Sequence, residues 1–345
     1  MGPLRFSGME RMFQCSAGMW EKEGWIPIII GQGSNNPFAR NLELAGYRIV
    51  YIRSIRSLKG LLDLMKVIYR YKPKVVHIHT ESMHGPVAIF IRVLSPRANI
   101  VQTIHSIFEF SGFVKWKRLG QHSLSKLAQV KHVSVSHEVA QNEIENYRLR
   151  TLVIENWISD NFFSNLWRKI SSNSQMVKIG IVGNCSNIKN HEVLLKSVLE
   201  LDSFHVIHIG NEDQATIAEK SLMRLLDESD QISRLGERVE IPELLSSCDL
   251  FAMTSLHEGF GMALAEALSL GIPCLISNAK GLNWAHSLPG VKVATNDQSW
   301  SEILRNISNL DLLDLKEKAF KSKDAYRERW SASRGVAQYI ELYDS

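Results

Sequence analysis

Short apolar runs, rich in β-branched residues, alternate with longer amphipathic stretches from one end of the chain to the other. The apolar runs lie at residues 25–30, 47–53, 74–80, 99–105, 130–136, 151–157, 177–184, 204–211, 249–255, 272–278 and 291–295. The stretches between them, such as LKGLLDLMKVIYRY (58–71), repeat their apolar residues every three to four positions, as amphipathic helices do. Strands that alternate with helices predict an α/β protein whose parallel sheets carry helices on both faces.

The alternation is interrupted near residue 170 by the polar stretch RKISSNSQM (168–176). Stretches rich in serine and asparagine are typical of loops, and 345 residues are too many for one ordinary core but suit two domains. We therefore predict two doubly wound, Rossmann-like domains facing a central cleft, over residues 1–160 and 177–328, joined by a hinge over 161–176.

The beginning of the first domain departs from this pattern. A doubly wound domain should begin with a central strand, yet the first apolar run arrives only at Trp25. Residues 1–10 have the composition of the loop that would follow such a strand. Either the chain starts one strand short or a degenerate segment takes the place of that strand.

Composition places the protein among cytoplasmic globular proteins. Apolar residues make up 45% of the chain, and no apolar run approaches the roughly 18 to 20 residues of a membrane span. The N-terminus MGPLRFSGMER lacks the apolar region of a secretory signal. The four cysteines have no CxxC spacing, which argues against zinc and disulfides and favours a reducing cytoplasm.

The positive charge is concentrated in the first half of the chain. Residues 1–150 contain 21 Lys and Arg against 10 Asp and Glu, a net charge of +11, whereas the whole chain carries +4. The remaining residues therefore carry −7. A basic half is suited to an anionic surface or ligand, although a merely solvated basic face is the alternative.

A glycine-rich turn between two glutamates indicates a binding site for a diphosphate and sugars. The segment HEGFGMALAE (257–266) follows the predicted strand 249–255 and leads into a helix. Gly259 and Gly261 let the backbone approach a ligand, and the start of the helix offers free N–H groups. Glu258 and Glu266, roughly 10 Å apart at a rise of about 1.5 Å per residue, can each accept sugar hydroxyls.

The pattern E-G-F-G-x-x-x-x-E, followed by A-x-x-x-G-x-P-x-x-x-S, resembles the signature of the retaining family 4 glycosyltransferases, which have the GT-B fold. Within this family, the chain resembles the bacterial members that make capsule, exopolysaccharide and O-antigen. The resemblance implies that Glu258 contacts the donor hexose and Glu266 the ribose of a UDP- or GDP-linked sugar. Backbone amides around Gly259, Phe260, Gly261 and Met262 are expected to bind the diphosphate.

The segment GIVGNCSNIKNHEVLL (180–195) resembles the phosphate loop of the same family. Its lysine, which neutralises the donor diphosphate, is matched by Lys189. The family's arginine, five residues earlier, is replaced by Asn184, so one cation stands where two are expected.

Further segments extend the resemblance over most of the chain. His105 matches the family histidine that reaches the donor sugar near the reacting carbon. His77 and His79 alternate with apolar residues, so one of them is expected to point into the core, and His79 is the candidate for the ligand. Gly8, before Met9 and Glu10, matches the first loop, although the family's second glycine is missing there.

Two segments resemble the family's crossings between domains. VIENWISDNFF (153–163) keeps Asn156 but has Trp157 where the family has glycine. The amphipathic tail is expected to form a helix over residues 329–345 that returns to the N-terminal domain.

The expected reaction uses no metal and no cofactor besides the nucleotide-sugar. The chain has neither a D-x-D run nor an H-E-x-x-H motif, so Lys189 and the helix amides would stabilise the leaving group. Two alternatives remain open: a sugar-nucleotide epimerase or phosphorylase of the same fold, and a non-catalytic sugar-nucleotide-binding subunit.

We expect a glycan or lipid-linked acceptor, presented at the inner face of the cytoplasmic membrane. The stretch FEFSGFVKWKRLGQ (108–121) places aromatic residues beside cations, as a peripheral contact with an anionic membrane surface requires. Its aromatic and basic residues are Phe108, Phe110, Phe113, Trp116, Lys115, Lys117 and Arg118. No nucleic-acid recognition motif accompanies the charge, so no nucleic-acid partner is expected.

Overall fold

The protein is described by a computed structural model that covers residues 1–163, 176–295, 299–307 and 309–345. These residues divide into two compact units, one formed by Met1–Ser159 with Ser331–Ser345, the other by Asp160–Trp330. Most of the expected hinge, residues 164–175, lies outside the described residues. No helix among the described residues combines the length and apolar character needed to cross a bilayer.

The first unit contains two separate parallel sheets. Its strands are β1 (Ile28–Gln32), β2 (Arg48–Ile52), β3 (Val75–Ile78), β4 (Asn99–Ile104), β5 (Val130–Ser134) and β6 (Leu152–Val153). Strands β1 and β2 pair with each other, and the other four form a sheet in the order β3-β4-β5-β6. The helices before residue 159 are α1 (Gly8–Lys22), α2 (Ala39–Leu44), α3 (Leu58–Tyr71), α4 (His84–Leu94), α5 (Gly112–Leu127) and α6 (His137–Tyr147).

An irregular segment lies on the free edge of β1. The amino group of Met1 donates to the carbonyl oxygen of Ile30 at 3.1 Å, and the amide of Gln32 donates to Gly2 O at 3.2 Å. Residues 1–2 therefore pair with β1 through two hydrogen bonds without forming a regular strand.

The second unit contains one six-stranded parallel sheet. Its strands are β7 (Val177–Val182), β8 (Phe204–Ile209), β9 (Ile232–Arg234), β10 (Leu250–Met253), β11 (Cys274–Ser277) and β12 (Val291–Ala294), in the order β12-β11-β10-β7-β8-β9. Its helices are α7 (Glu192–Leu199), α8 (Ile217–Glu228), α9 (Ile241–Ser246), α10 (Met262–Ser269), α11 (Trp300–Asn306) and α12 (Asn309–Arg329). The direction of the strand order reverses between β7 and β10. In open parallel sheets such a point is where ligands bind, beyond the carboxyl ends of the strands.

The last helix, α13 (Ala332–Asp344), belongs to the first unit. The indole of Trp157 lies against the backbone of Gly335 so closely that a Cβ at that position would collide with the ring. Trp157 Nε1 also donates to Met12 O in α1 at 2.8 Å, and Trp20 of α1 stacks on Tyr343. Thus the tryptophan that replaces the family glycine joins α1 to α13.

Candidate active site

Two loops follow the strands on either side of the reversal point in the second unit. The loop 183–191 leaves β7, and the loop 254–261 connects β10 with α10. Thr254 Oγ1 donates to Lys189 O at 2.7 Å, and the amide of Leu256 donates to Ile188 O at 2.8 Å. These bonds hold the two loops in a fixed relation, although they come from distant parts of the sequence.

Lys189 and Glu258 form an ion pair between these loops. Lys189 Nζ lies 2.6 Å from Glu258 Oε1, and the two side chains remain 29% and 13% exposed. Ser255 Oγ donates to the same carboxylate oxygen at 2.7 Å. The structure thus brings together two predicted site residues that the sequence separates by 69 positions.

Helix α10 begins directly after the glycine turn. Gly261 is its N-cap with φ of +82°, a conformation that favours glycine. The amides of Leu264 and Ala265 donate to Gly261 O, so those of Met262 and Ala263 precede the first intrahelical bond, at the positive end of the helix dipole. A phosphate can be bound by such amides.

Phe260 and Glu266 are both buried, with different consequences. The ring of Phe260 stacks on Trp284 at 5.1 Å between centroids, and Trp284 Nε1 donates to Phe260 O at 2.8 Å. Phe260 can therefore serve a ligand only through its amide. Glu266, on α10, is 6% exposed. Of the other predicted binding residues in this segment, Met262 is half-buried and Gly259 is buried.

Gly281 supports this turn from a segment that the sequence motif does not include. It belongs to a short 3-10 helix, Lys280–Ala285. A Cβ on Gly281 would collide with the carbonyl oxygen of Glu258, so only glycine lets the two segments approach each other.

Asn184 has a structural role in the loop after β7. Its Oδ1 accepts a hydrogen bond from the amide of Asn211 at 2.9 Å, which ties this loop to the one after β8. The side chain is exposed and carries no charge. Among the predicted phosphate-binding side chains, Lys189 is thus the one that is cationic.

In the first unit, His79 and His105 lie side by side at the ends of β3 and β4. His79 Nδ1 is 2.9 Å from His105 Nε2. His77 and His79, two positions apart, share one face of the strand with rings 3.9 Å apart. As expected of one of the two, His77 packs inward: its Nδ1 is 2.6 Å from Tyr343 Oη of α13, and its Nε2 is 2.7 Å from Oγ1 of the buried Thr103.

Burial keeps these imidazoles neutral at physiological pH. Desolvation lowers the pKa of His105 to about 4 and that of His77 to about 3, where the nearby His105 adds to the effect. The pKa of His79 is lowered as well, by burial and by the neighbouring rings. A neutral His105 can donate or accept one hydrogen bond to a sugar hydroxyl.

Glu81 and Arg118 support the loop that carries His105. The sequence did not show this supporting role. Glu81 Oε1 accepts from the amide of His105 at 3.1 Å, and burial raises the pKa of this carboxyl to about 7. Arg118 Nη1 lies 3.4 Å from Glu81, and Nη2 donates to Glu143 at 2.7 Å. Arg118 is buried, so its assignment to a membrane-facing cationic surface is wrong.

Gly8 is the first residue of α1. Glu10, two positions later, is 2% exposed and accepts hydrogen bonds from Ser7 Oγ and from the amide of Arg5. This carboxylate therefore organises the turn that precedes its own helix.

Comparison with known proteins identifies the family to which the two units are similar. Residues 6–162 match the family described as Glycosyltransferase Family 4, and residues 177–310 match the family described as Glycosyl transferases group 1. A relative from Escherichia coli, UDP-Gal:alpha-D-GlcNAc-diphosphoundecaprenol alpha-1,3-galactosyltransferase, is 22% identical over 299 residues. The aligned region covers 79% of this chain and 76% of the relative.

Solved structures share the fold along the whole chain. A glycosyltransferase from Rickettsia africae ESF-5 has a TM-score of 0.81 at 18% identity, with 99% of this chain and 96% of that one covered. Anabaena HepE in complex with UDP and glucose has a TM-score of 0.79 at 17% identity, with 100% and 98% covered.

Proposed function

Since the chain belongs to the glycosyltransferases, with a family 4 domain followed by a group 1 domain, we propose that it is a retaining, metal-independent hexosyltransferase of bacterial surface polysaccharide synthesis. It transfers a hexose from a nucleotide-sugar to a glycan or lipid-linked acceptor. The ion pair between Lys189 and Glu258 carries this proposal.

The spacing of that pair suits a sugar bound to a diphosphate. The anomeric oxygen joins a phosphate, which needs a cation, to a ring whose hydroxyls need acceptors. Lys189 and Glu258 offer both within 2.6 Å of each other. Glu266, on the helix beyond, receives the ribose hydroxyls. The Anabaena HepE complex with UDP and the UDP-Gal donor of the Escherichia coli relative favour UDP over GDP as the carrier.

Lys189 and the first amides of α10 stabilise the leaving diphosphate. Its negative charge increases as the glycosidic bond breaks, so these groups bind the transition state more strongly than the ground state. The acceptor hydroxyl attacks on the face that the diphosphate leaves, and Glu258 orients the hexose. The α-1,3 product named for the Escherichia coli relative agrees with retention from an α-linked donor.

The acceptor is proposed to be lipid-linked and reached at a membrane surface. The acceptor named for the Escherichia coli relative is linked to diphosphoundecaprenol. At the start of α5, Phe113 is 82% exposed and Trp116 73% exposed, beside the exposed Lys117 and the half-buried Lys115. Exposed aromatic residues beside cations favour binding to anionic lipid headgroups.

Transfer by the purified full chain tests the proposal. UDP-hexoses and GDP-hexoses are incubated with lipid extract containing sugar-diphosphate lipids, and products are resolved by mass spectrometry and NMR. We expect glycosylated lipid with the donor's anomeric configuration, strong loss of rate in Lys189→Ala, and little change in the exposed control Lys196→Ala. An epimerised donor, or binding without turnover, contradicts the proposal.

Metal independence is tested in the same assay with excess chelator. We expect most of the rate to remain, since Lys189 and the helix amides supply the stabilisation that Mg²⁺ gives to other transferases. A complete loss of rate that Mg²⁺ or Mn²⁺ restores contradicts this part of the proposal.

A further inference from the structure

Three side chains that could bind a metal meet in the interior of the second unit, and two of them flank Lys189 in the sequence of one loop. They are Cys185 in that loop, His191 just before α7, and His208 in β8, and all three are buried. Cys185 Sγ lies 3.7 Å from His191 Nδ1 and 3.7 Å from His208 Nε2. The cysteines have no zinc-binding spacing along the sequence, and the fold brings this group together from three elements.

The distances match those between ligands on one zinc ion. With a Zn–S bond of about 2.3 Å and a Zn–N bond of about 2.0–2.1 Å at a tetrahedral angle, sulfur and nitrogen lie roughly 3.6 Å apart. The observed separations are 3.7 Å for both histidines. The two Cys–His separations therefore fit a single zinc ion, and the three ligand atoms all lie within 4.8 Å of one another.

The histidines can present neutral nitrogens to a metal. Burial lowers the pKa of His191 to about 3, with the charge of His208 as the next cause. His208 Nδ1 lies 3.5 Å from Glu212 Oε1, the carboxylate–histidine arrangement that orients zinc-bound imidazoles. His208 Nε2 is also 3.2 Å from Gly183 O, so metal binding replaces that contact and selects the tautomer protonated at Nδ1.

The surrounding charge favours a cation over a free thiolate. Burial raises the pKa of the Cys185 thiol to about 12, and the carboxylates of Glu219 and Glu212 add to the effect. Glu219 is 1% exposed, and its Oε1 accepts from the amide of His191 at 3.1 Å. Glu212 is already ion-paired with Arg234, so the buried Glu219 is the carboxylate that offsets the positive charge remaining after Zn²⁺ binds one thiolate.

We propose that Cys185, His191 and His208 form a zinc site, with a water molecule in the fourth position. On binding, a Zn–S bond forms, the S–H bond of Cys185 breaks and its proton passes to solvent, so one proton is released per ion. Cys185 and His191 stand at either side of Lys189 in the loop, and His208 anchors both to β8. The site thus adds a link between this loop and β8 to the hydrogen bonds that already hold the loop without metal.

Direct metal binding to the full chain is the test. The protein is treated with chelator, exchanged into metal-free buffer and titrated with ZnCl₂ alone, and retained zinc is measured after gel filtration. Calorimetry in buffers of different ionisation enthalpy counts the released protons. We expect one zinc and one proton per chain in the wild type and in the control Cys274→Ala, and no retained zinc in Cys185→Ala.

A second variant keeps the test informative if Cys185→Ala fails to fold. In Cys15→Ala/Cys248→Ala/Cys274→Ala, Cys185 is the sole remaining cysteine, so a near-ultraviolet thiolate-to-cobalt band on adding CoCl₂ reports this site alone. We expect that band, and its loss on adding ZnCl₂. Substoichiometric zinc in the wild type, equal retention in Cys185→Ala, or a missing cobalt band overturns the proposal.

Discussion

Lys189 is bound to the carboxylate that is expected to contact the donor sugar. Its Nζ lies 2.6 Å from Glu258 Oε1, which Ser255 also contacts. A diphosphate carries more negative charge than one carboxylate, so donor binding is expected to draw the lysine toward phosphate. Glu258 is then expected to keep its bond from Ser255 and to accept a sugar hydroxyl. We therefore expect occupancy of the phosphate position to affect the orientation of the sugar.

Replacing each glutamate by alanine should affect a different quantity, UDP affinity for Glu266 and turnover for Glu258. Glu266→Ala is expected to weaken UDP binding roughly tenfold to a hundredfold, because a hydrogen bond to a charged acceptor contributes about 1.5 to 3 kcal/mol. Glu258→Ala should lower turnover while UDP, which has no hexose, binds nearly as before. Calorimetry with UDP and initial rates with the nucleotide-sugar measure the two effects.

The exposed Glu243→Ala, on α9 of the same unit, is the matched control. Full activity and full UDP affinity in both test variants would remove the basis for assigning these carboxylates to the donor.

Contiguous residues of the site could be predicted from the sequence, and distant ones could not. Glu258 and Glu266 share one motif, and Lys189 lies in a second recognisable loop. Gly281 and Glu81 had no such pattern, because their roles depend on close approach to Glu258 and His105 from other segments. Arg118 was misassigned for the same reason, since its carboxylate partners lie 25 and 37 positions away.

At the scale of elements, α13 is held to α1 through Trp157, which leads to a stability prediction. Gly335→Ala places a methyl group against the indole of Trp157, and overpacking of this kind costs about 1–3 kcal/mol. We expect a lower free energy of unfolding in urea. Gly18→Ala, on α1 with open space around it, is the control and should leave stability unchanged or slightly higher. Equal stability of the two variants contradicts this account of the α1–α13 contact.

The exposed start of α5 leads to a prediction about lipid binding. Full-length protein is expected to sediment with vesicles containing anionic lipid, less so at high salt, because each cation near the surface contributes about 1 kcal/mol. Phe113→Ser/Trp116→Ser and Lys115→Glu/Lys117→Glu should each reduce the bound fraction. Arg118 is left unchanged, since its substitution would break the buried ion pair with Glu143.

The control for lipid binding lies on the same helix. Leu127, at the opposite end of α5, is 74% exposed, so Leu127→Ser removes an exposed apolar side chain roughly 16 Å from Trp116 at about 1.5 Å per residue. Its binding should match the wild type. If the bound fraction is the same for anionic and neutral vesicles and is unchanged by all of these substitutions, the membrane proposal is wrong. The acceptor must then be sought in solution.

Periodicity predicted eleven strands that the structure contains, and it missed β9. That strand has three residues, Ile232–Arg234, of which Ile232 is buried, too few to show a period. Its position is set by pairing with β8, where Val206 lies opposite Ile232. Short edge strands of this kind follow from tertiary pairing, which local pattern cannot show.

At the scale of the whole molecule, the GT-B fold expected from the motif is confirmed by the solved glycosyltransferases. Alternation of strands and helices indicated parallel sheets but not their strand order. The order β9-β8-β7-β10-β11-β12 places the loops after β7 and β10 beside each other. The motif residues of each loop could therefore be named in advance, whereas their contact required the topology.

The buried histidines of the first unit lead to a prediction about acid stability. Burial lowers the pKa of His84 to about 4 and that of His132 to about 3, whereas an unfolded chain has a histidine pKa of about 6.5. Below that pH the unfolded state takes up protons that the folded state does not. Stability is therefore retained above about pH 6.5 and falls with acidification, by about 1.4 kcal/mol per pH unit for each such histidine.

Urea unfolding between pH 7 and pH 5 measures this slope. His132→Phe should make it shallower, by an amount that approaches about 1.4 kcal/mol per pH unit toward pH 5, because one proton fewer is taken up on unfolding. The exposed His137→Gln is the control and should keep the wild-type slope, since its ring is in water in both states. A slope unchanged in His132→Phe would show that these imidazoles are charged in the folded protein. The polar groups around them, Glu143 and Arg118 among others, would then have to be paired differently from the arrangement described.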